Sequence, residues 1–252
     1  MPHPNSFRTI PRQDHRRIAK VGYRNYPLLP VDTPSLVEVR NHGLMGRNHY
    51  AAAHNPPYEG PIPGAIEELF VRPSVLEMLI DANQRLAAAG LGLWLYDGWR
   101  PTELQAHFHH VWMPERLRAK HPNRDEEWIA EETLRYWAAP TEDKAAPSPH
   151  LTGGAVDVTL CHAATGEHLW MGCLFDDVDA IAAPDHYENP DNVRTLSDEV
   201  ARDNRRILYW SMADAGFCGH PDEIWHYSYG DQMWAKLGGH PHAFYGPTSP
   251  AS

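Results

Sequence analysis

The 252-residue chain predicts an α+β fold, a small and mainly antiparallel central sheet flanked by helices. Helix-period stretches and short apolar or alternating runs both occur, but they do not follow one another as strict βα units. The connections between them vary in length, which argues against a doubly wound parallel sheet. Residues 1–65 are rich in Pro, Asn and His with little sustained periodicity. One domain is therefore expected, with 1–65 as an irregular N-terminal wrap, 66–237 as the core and 238–252 as a tail.

Each element has a local reason. Leu36–Arg40 alternates briefly and reads as a strand within the wrap. Over Ser74–Ala89, Val75, Leu76, Leu79, Ile80, Leu86 and Ala87 recur at helical spacing, with Pro73 before them and Gly90 after. Leu91–Tyr96 is a short apolar run, read as a buried strand. Pro101 suits a first helical turn and opens a helix to about Trp112. A third helix covers Glu126–Ala138. Pro140, Pro147 and Pro149 make 139–149 a loop. Ala155–Leu160 alternates as a strand. Thr195 and Asp198 have capping-box spacing at the start of a helix that Gly216 stops after Ala215. Ile224–Tyr229 is aromatic, alternating and strand-like.

Composition excludes several functions. Lys+Arg is 22 against Asp+Glu 33, a formal net charge of -11, so neither nucleic acid nor an anionic membrane is an expected partner. No apolar run approaches the roughly 18 to 20 residues of a membrane span. The opening Met1–Arg8 lacks the apolar core of a secretory signal. Cys161, Cys173 and Cys218 form no CxxC and read as small hydrophobes rather than disulfides or a cysteine-rich zinc site. The expected compartment is the cytoplasm. The 17 histidines pose the question of metal.

Three segments carry candidate chemistry. In Ser148-Pro-His150-Leu-Thr-Gly153-Gly154-Ala-Val-Asp157, a glycine turn separates a loop histidine from a strand aspartate, both good zinc ligands. Asp157 shares a strand face with Ala155 and Thr159, while Val156, Val158 and Leu160 point to the core. An aspartate in so apolar a strand is costly unless paired or metal-bound; a capping aspartate beside a loop histidine is the plainer alternative. In Glu223-Ile-Trp-His226, Glu223 follows irregular backbone at 219–222 that can turn its carboxylate towards His226. A glutamate beside a metal-bound histidine is the general base a hydrolase needs, though the spacing is not HExxH. In Tyr96-Asp-Gly-Trp-Arg100-Pro101, Arg100 either stabilises an oxyanion or simply pairs with Asp97. Among the remaining histidines, His107 and His110 are spaced for a metal but lack a third ligand. His162, His168, His186 and His220 lie near the site in sequence without distinguishing themselves.

Together these motifs resemble the D-alanyl-D-alanine dipeptidases, the VanX-like zinc peptidases of the LAS group, over residues 70 to 235. Ser-x-His-x-x-Gly-x-Ala-x-Asp is followed by Glu-x-Trp-His, with Asp-Gly-Trp-Arg-Pro upstream. Met171-Gly-Cys-Leu-Phe175-Asp176 and Asn204–Leu208 running into Gly216-Phe217 are similar to further family segments. The resemblance implies the hedgehog and D,D-peptidase zinc fold, and one zinc per chain held by His150, Asp157 and His226 with water in the fourth place. It implies Glu223 as base, Arg100 at the oxyanion, and Ser148 and Asp176 as substrate contacts, Asp176 on the free ammonium. The activity implied is hydrolysis of the small dipeptide D-Ala-D-Ala. A D,D- or L,D-carboxypeptidase on peptidoglycan stems is the alternative, and a non-catalytic zinc-stabilised module a third reading, which has no need of Glu223 and Arg100. Three departures bear on substrate choice: the family's N-terminal pocket tyrosine is missing from Glu38–Gly46, Cys173-Leu174 replaces small residues, and extra length lies at 113–147 and both ends. Oligomeric state is left open.

Overall fold

The computed structural model describes residues 3–12, 22–137, 139–140 and 143–251. In chain order the strands are β1 Val37–Glu38, β2 Met45–Gly46, β3 Phe70–Val71, β4 Leu91–Asp97, β5 Ala155–His162, β6 Cys218–Gly219 and β7 His226–Ser228. The helices are α1 Pro73–Ala87, α2 Thr102–His107, α3 Met113–Lys120, α4 Glu126–Tyr136, α5 Leu196–Asp214 and α6 Gln232–Leu237, with a π-helical turn Phe108–Trp112 joining α2 to α3. β1 and β3 form a small antiparallel pair. The central sheet has five strands in the order β2-β4-β5-β7-β6, antiparallel except where β2 runs parallel to β4. This is the α+β architecture expected.

The sheet is buried on both faces at its centre. Leu93, Leu95, Val156, Val158 and Leu160 are fully buried, as are Leu79 and Leu86 of α1 and Leu208 and Met212 of α5. Val156, Val158 and Leu160 join the main apolar cluster, while Asp157 on the other face is 1% exposed and faces a cavity.

Most boundaries follow the sequence closely, and the differences have physical causes. The strand expected at Leu36–Arg40 shortens to Val37–Glu38 and continues as a 3-10 turn, because the Glu38 side chain accepts the Arg40 backbone N–H at 3.0 Å. The helix expected to end near Trp112 runs on to Lys120. Pro114 suggests a stop there, but the wider π turn just before it absorbs the clash a proline makes with the preceding turn. The third helix ends at Tyr136; residue 138, its expected end, lies outside the described residues. The strand expected at Ile224–Tyr229 is only His226–Ser228, since Ile224 is tied instead to the Ala182 carbonyl at 2.9 Å. The N-terminal 65 residues do more than cover the core, because β2 lies among them.

Two devices hold the frame that carries the site. Thr195 and Asp198 make the reciprocal capping box at the start of α5. From within that helix the fully buried Arg205 donates to the carbonyls of Met171 at 2.6 Å, Ala183 at 2.8 Å and Ile181 at 2.8 Å. It thereby pins the irregular 171–183 segment that bears Asp176. Arg205→Met is expected to destabilise the chain by on the order of 3 kcal/mol or more, because three buried carbonyls lose their donor. Thr195→Ala, which removes only an exposed cap, is expected to cost about 1 kcal/mol. Denaturant titration with both variants checks the difference.

Candidate metal centre and active site

Three neighbouring strands bring the chemistry to one end of the sheet. Asp97 of β4 pairs with Asp157 of β5, and Asp157 in turn pairs with His226 of β7. His150 arrives from the 3-10 turn His150–Thr152, and the chain then reverses into β5 through two glycines. Gly153 has φ 69, the left-handed region that a side chain resists. A Cβ on Gly154 would lie 2.3 Å from the Tyr229 carbonyl oxygen. The glycine pair is thus a steric requirement for placing His150 over Asp157.

The donor atoms of His150, Asp157 and His226 all lie within 4.8 Å of one another, and the three residues are buried. Asp157 Oδ1 is 3.2 Å from His226 Nδ1 and 3.5 Å from His150 Nε2, and the two ring nitrogens are 3.1 Å apart. The outer nitrogens decide what these atoms are. His150 Nδ1 is 2.8 Å from the Gly98 carbonyl, which only accepts, so the proton sits on Nδ1 and Nε2 presents a lone pair. His226 Nε2 is 3.2 Å from Ser228 Oγ. The buried Asp231 carboxylate beside Ser228 draws the hydroxyl proton, so Oγ accepts from Nε2 and the His226 lone pair lies on Nδ1. Asp157 Oδ1 has no hydrogen-bond partner although it is buried. Burial disfavours its charge, and the Arg100 guanidinium on Oδ2, at 3.2 Å, offsets that cost. Two imidazole lone pairs and one anionic oxygen converging without a shared proton fit a small divalent cation, and this N,N,O set is one zinc takes.

Arg100 joins this centre to the strand below it. Its side chain is 6% exposed. Nε donates to Asp97 Oδ2 at 2.8 Å, Nη1 to Gln105 Oε1 at 3.0 Å, and Nη2 to Tyr50 Oη and Asp157 Oδ2, each at 3.2 Å. The ion pair expected between Arg100 and Asp97 is present, and the guanidinium also lines the cavity. Asn48 donates to the other Asp97 oxygen at 3.1 Å.

One cavity of about 1040 Å³ gathers every residue the sequence nominated: Arg100, Ser148, His150, Asp157, Asp176, Glu223 and His226. Glu223 is 17% exposed at its side chain and stands 3.9 Å from His220 Nδ1. Of the four histidines near the site in sequence, His220 is the one on the cavity wall, edge-on to the His226 ring with centroids 5.5 Å apart. Asp176 is 6% exposed, has φ 58, and accepts from the Tyr58 hydroxyl at 2.7 Å. Burial and the nearby Asp157 charge push its carboxyl up to about 8. His107 and His110 form no three-residue metal group among the described residues.

Sequence reasoning missed Tyr50, Tyr58, Asn48, Gln105 and Asp231. A tyrosine stands just beyond Glu38–Gly46, in Tyr50-Ala51; it is fully buried, and burial keeps its hydroxyl protonated as an uncharged partner for Arg100. Like the others, it has no local signature, since each meets the site across a long stretch of chain. The wall also includes Tyr23 and Arg24 from the N-terminal wrap, and Glu131, Glu132, Tyr136 and Trp137 from α4 and its end.

Fold and site define a metallopeptidase, and comparison with known proteins agrees: residues 34–242 match the Peptidase_M15 family, to which this chain belongs. That family is described as D-ala-D-ala dipeptidase, and its members are zinc enzymes. A D-alanyl-D-alanine dipeptidase of Synechocystis sp. is 29% identical over 226 residues, covering 83% of this chain and 84% of the relative. One from Enterococcus faecium is 30% identical over 200 residues, covering 77% and 89%. Among solved structures, VanYB in complex with D-Alanine-D-Alanine has 19% identity and a TM-score of 0.42, over 72% of this chain and 90% of that one.

His150→Ala and Asp157→Ala are each expected to lower bound zinc well below one equivalent per chain. Metal analysis of purified protein after dialysis checks this, with Ser148→Ala as a cavity control that keeps its zinc.

Proposed function

We propose that this chain hydrolyses D-Ala-D-Ala or a close dipeptide, with His150, Asp157 and His226 holding one zinc. The observation that carries the reading is the convergence of those three donors in one cavity with Glu223, Arg100 and Asp176, in a member of the dipeptidase family. Zinc held there supplies a Lewis acid that polarises a carbonyl and makes water nucleophilic near neutral pH. The chain's own groups do the rest. Glu223, 3.9 Å from His220 Nδ1 and only partly exposed, takes the proton of the attacking water and returns it to the departing amine. Arg100 is fixed by Asp97, Gln105 and Tyr50, so its charge is already placed where negative charge develops on the carbonyl oxygen. Asp176, in its buried position beside Tyr58, receives the substrate ammonium, and Ser148 lines the same wall.

That acceptor also separates the two enzymatic readings. Burial keeps the Asp176 carboxyl largely protonated near neutral pH; a free ammonium beside it favours loss of that proton to solvent and a charge-assisted bond, whereas a longer stem peptide presents an uncharged amide at that point. This favours a dipeptidase over a carboxypeptidase. Glu223 and Arg100 in the cavity favour catalysis over a purely structural zinc module. Cytoplasmic action is supported by Cys161, Cys173 and Cys218 all being free thiols. No described helix is long and apolar enough to cross a membrane.

Glu223→Ala is expected to keep about one equivalent of zinc and to lose at least roughly a hundredfold in kcat, the lower end of a general base's usual contribution. Retained turnover would remove Glu223 from that role. Incubating the wild type with D-Ala-D-Ala, L-Ala-L-Ala and a stem pentapeptide should release D-alanine from the first alone. Release from the pentapeptide at comparable rate would move the assignment to a carboxypeptidase.

A further inference from the structure

The dipeptide assigned above is a zwitterion, and its carboxylate has to be accepted somewhere in an acidic cavity. Glu131, Glu132, Asp177 and Asp222 line the wall in addition to the catalytic carboxylates. Among the described residues two arginines line it, Arg100 and Arg24. Arg100 is held by Asp97, Asp157, Gln105 and Tyr50, which use four of its five N–H donors and leave one Nη1–H for the oxyanion role assigned above. Arg24 is different. It is half-buried, donates from Nη2 to the Ala139 carbonyl at 2.5 Å, and makes no ion pair among the described residues.

The backbone that presents Arg24 is anchored. Gln232, 3% exposed in α6, directs its amide nitrogen at the Arg24 carbonyl at 2.9 Å, the Tyr26 carbonyl at 2.7 Å and the Ala145 carbonyl at 3.0 Å. It ties the strap at residues 22–26 to the loop after α4. Tyr23 in the same strap is buried against the cavity, and its hydroxyl feels Arg24 together with the Asp231 and Glu223 carboxylates. The strap therefore holds a cation on the wall of the same cavity that carries Glu223 and Asp176.

From this arrangement, and resting on the dipeptidase reading, we infer that Arg24 is a specificity-determining residue, the receptor for the substrate's free C-terminal carboxylate. A planar guanidinium with donors to spare on a half-buried wall makes charge-assisted bonds to a carboxylate that it cannot make to an amide. The strap thereby gives a function to the N-terminal wrap: it selects substrates that end in a free acid two residues from the amine.

The test compares D-Ala-D-Ala with D-Ala-D-Ala amide on zinc-loaded protein. Binding is measured by calorimetry in the Glu223→Gln background, so the result does not depend on turnover. The free acid is expected to bind roughly ten- to a hundredfold more tightly than the amide, the worth of one charge-assisted pairing. Arg24→Gln should abolish that preference, and Arg24→Lys should retain part of it. Gln232→Met, which removes the anchor and leaves Arg24 in place, should weaken it. A preference that survives in Arg24→Gln, or equal binding of acid and amide by the parent, overturns the inference. Failure of the dipeptidase reading shows separately, as absence of D-alanine release by the protein with Glu223 intact.

Discussion

A buried carboxylate oxygen with no proton to share organises this molecule. Asp157 Oδ1 faces two imidazole nitrogens whose own protons are drawn outwards, to the Gly98 carbonyl on one side and to Ser228 on the other. An anion and two lone pairs in a buried space repel one another unless a cation sits among them. The rest of the local architecture follows from holding that triangle together. Strand register sets Asp157 beside His226, a glycine pair lets His150 swing over both, and α6 supplies Asp231 to orient the far side of His226.

Next to the triangle lies a second electrostatic problem, solved by sharing. Asp97 and Asp157 are paired residues on adjacent strands, both essentially buried. Two carboxylates at that spacing would raise each other's proton affinity. Arg100 answers both, with Nε on one and Nη2 on the other. Burial still raises the Asp97 carboxyl, against the pull of Arg100 and His150. Because the guanidinium is fixed by four side chains, its positive charge needs no reorganisation when charge develops in the cavity. A residue that reads locally as a structural ion pair thus also presents its charge to the cavity.

The fold class and most element boundaries were legible because they depend on short-range rules. Helical periodicity, the Thr195–Asp198 capping box and the alternation in β5 all act within a few residues. The places where expectation and structure part are those where a distant or competing contact wins. Glu38 folds back on Arg40 and cuts a strand short, a π turn carries a helix past Pro114, and Ala182 captures Ile224 before β7 begins. The first 65 residues read as a wrap, because a two-residue strand such as β2 has too little length to show a period. Tyr50 has no local signature of its role, since it meets Arg100 across fifty residues of chain.

The amino-acid sequence by itself determined the cast of the site. The residue types at 97–101, 148–157 and 223–226 are those the resemblance to the dipeptidases calls for, and each set is carried within one short segment. Tertiary structure alone decided how they are combined and what closes over them. Tautomers follow from carbonyls and hydroxyls on other strands, Arg100's fourfold bonding depends on Tyr50 and Gln105, and the opposite wall comes from the strap at 22–26 and the end of α4. Those contacts link residues tens to hundreds of positions apart, and no local pattern encodes them. Buried groups must find partners wherever the packed chain brings them.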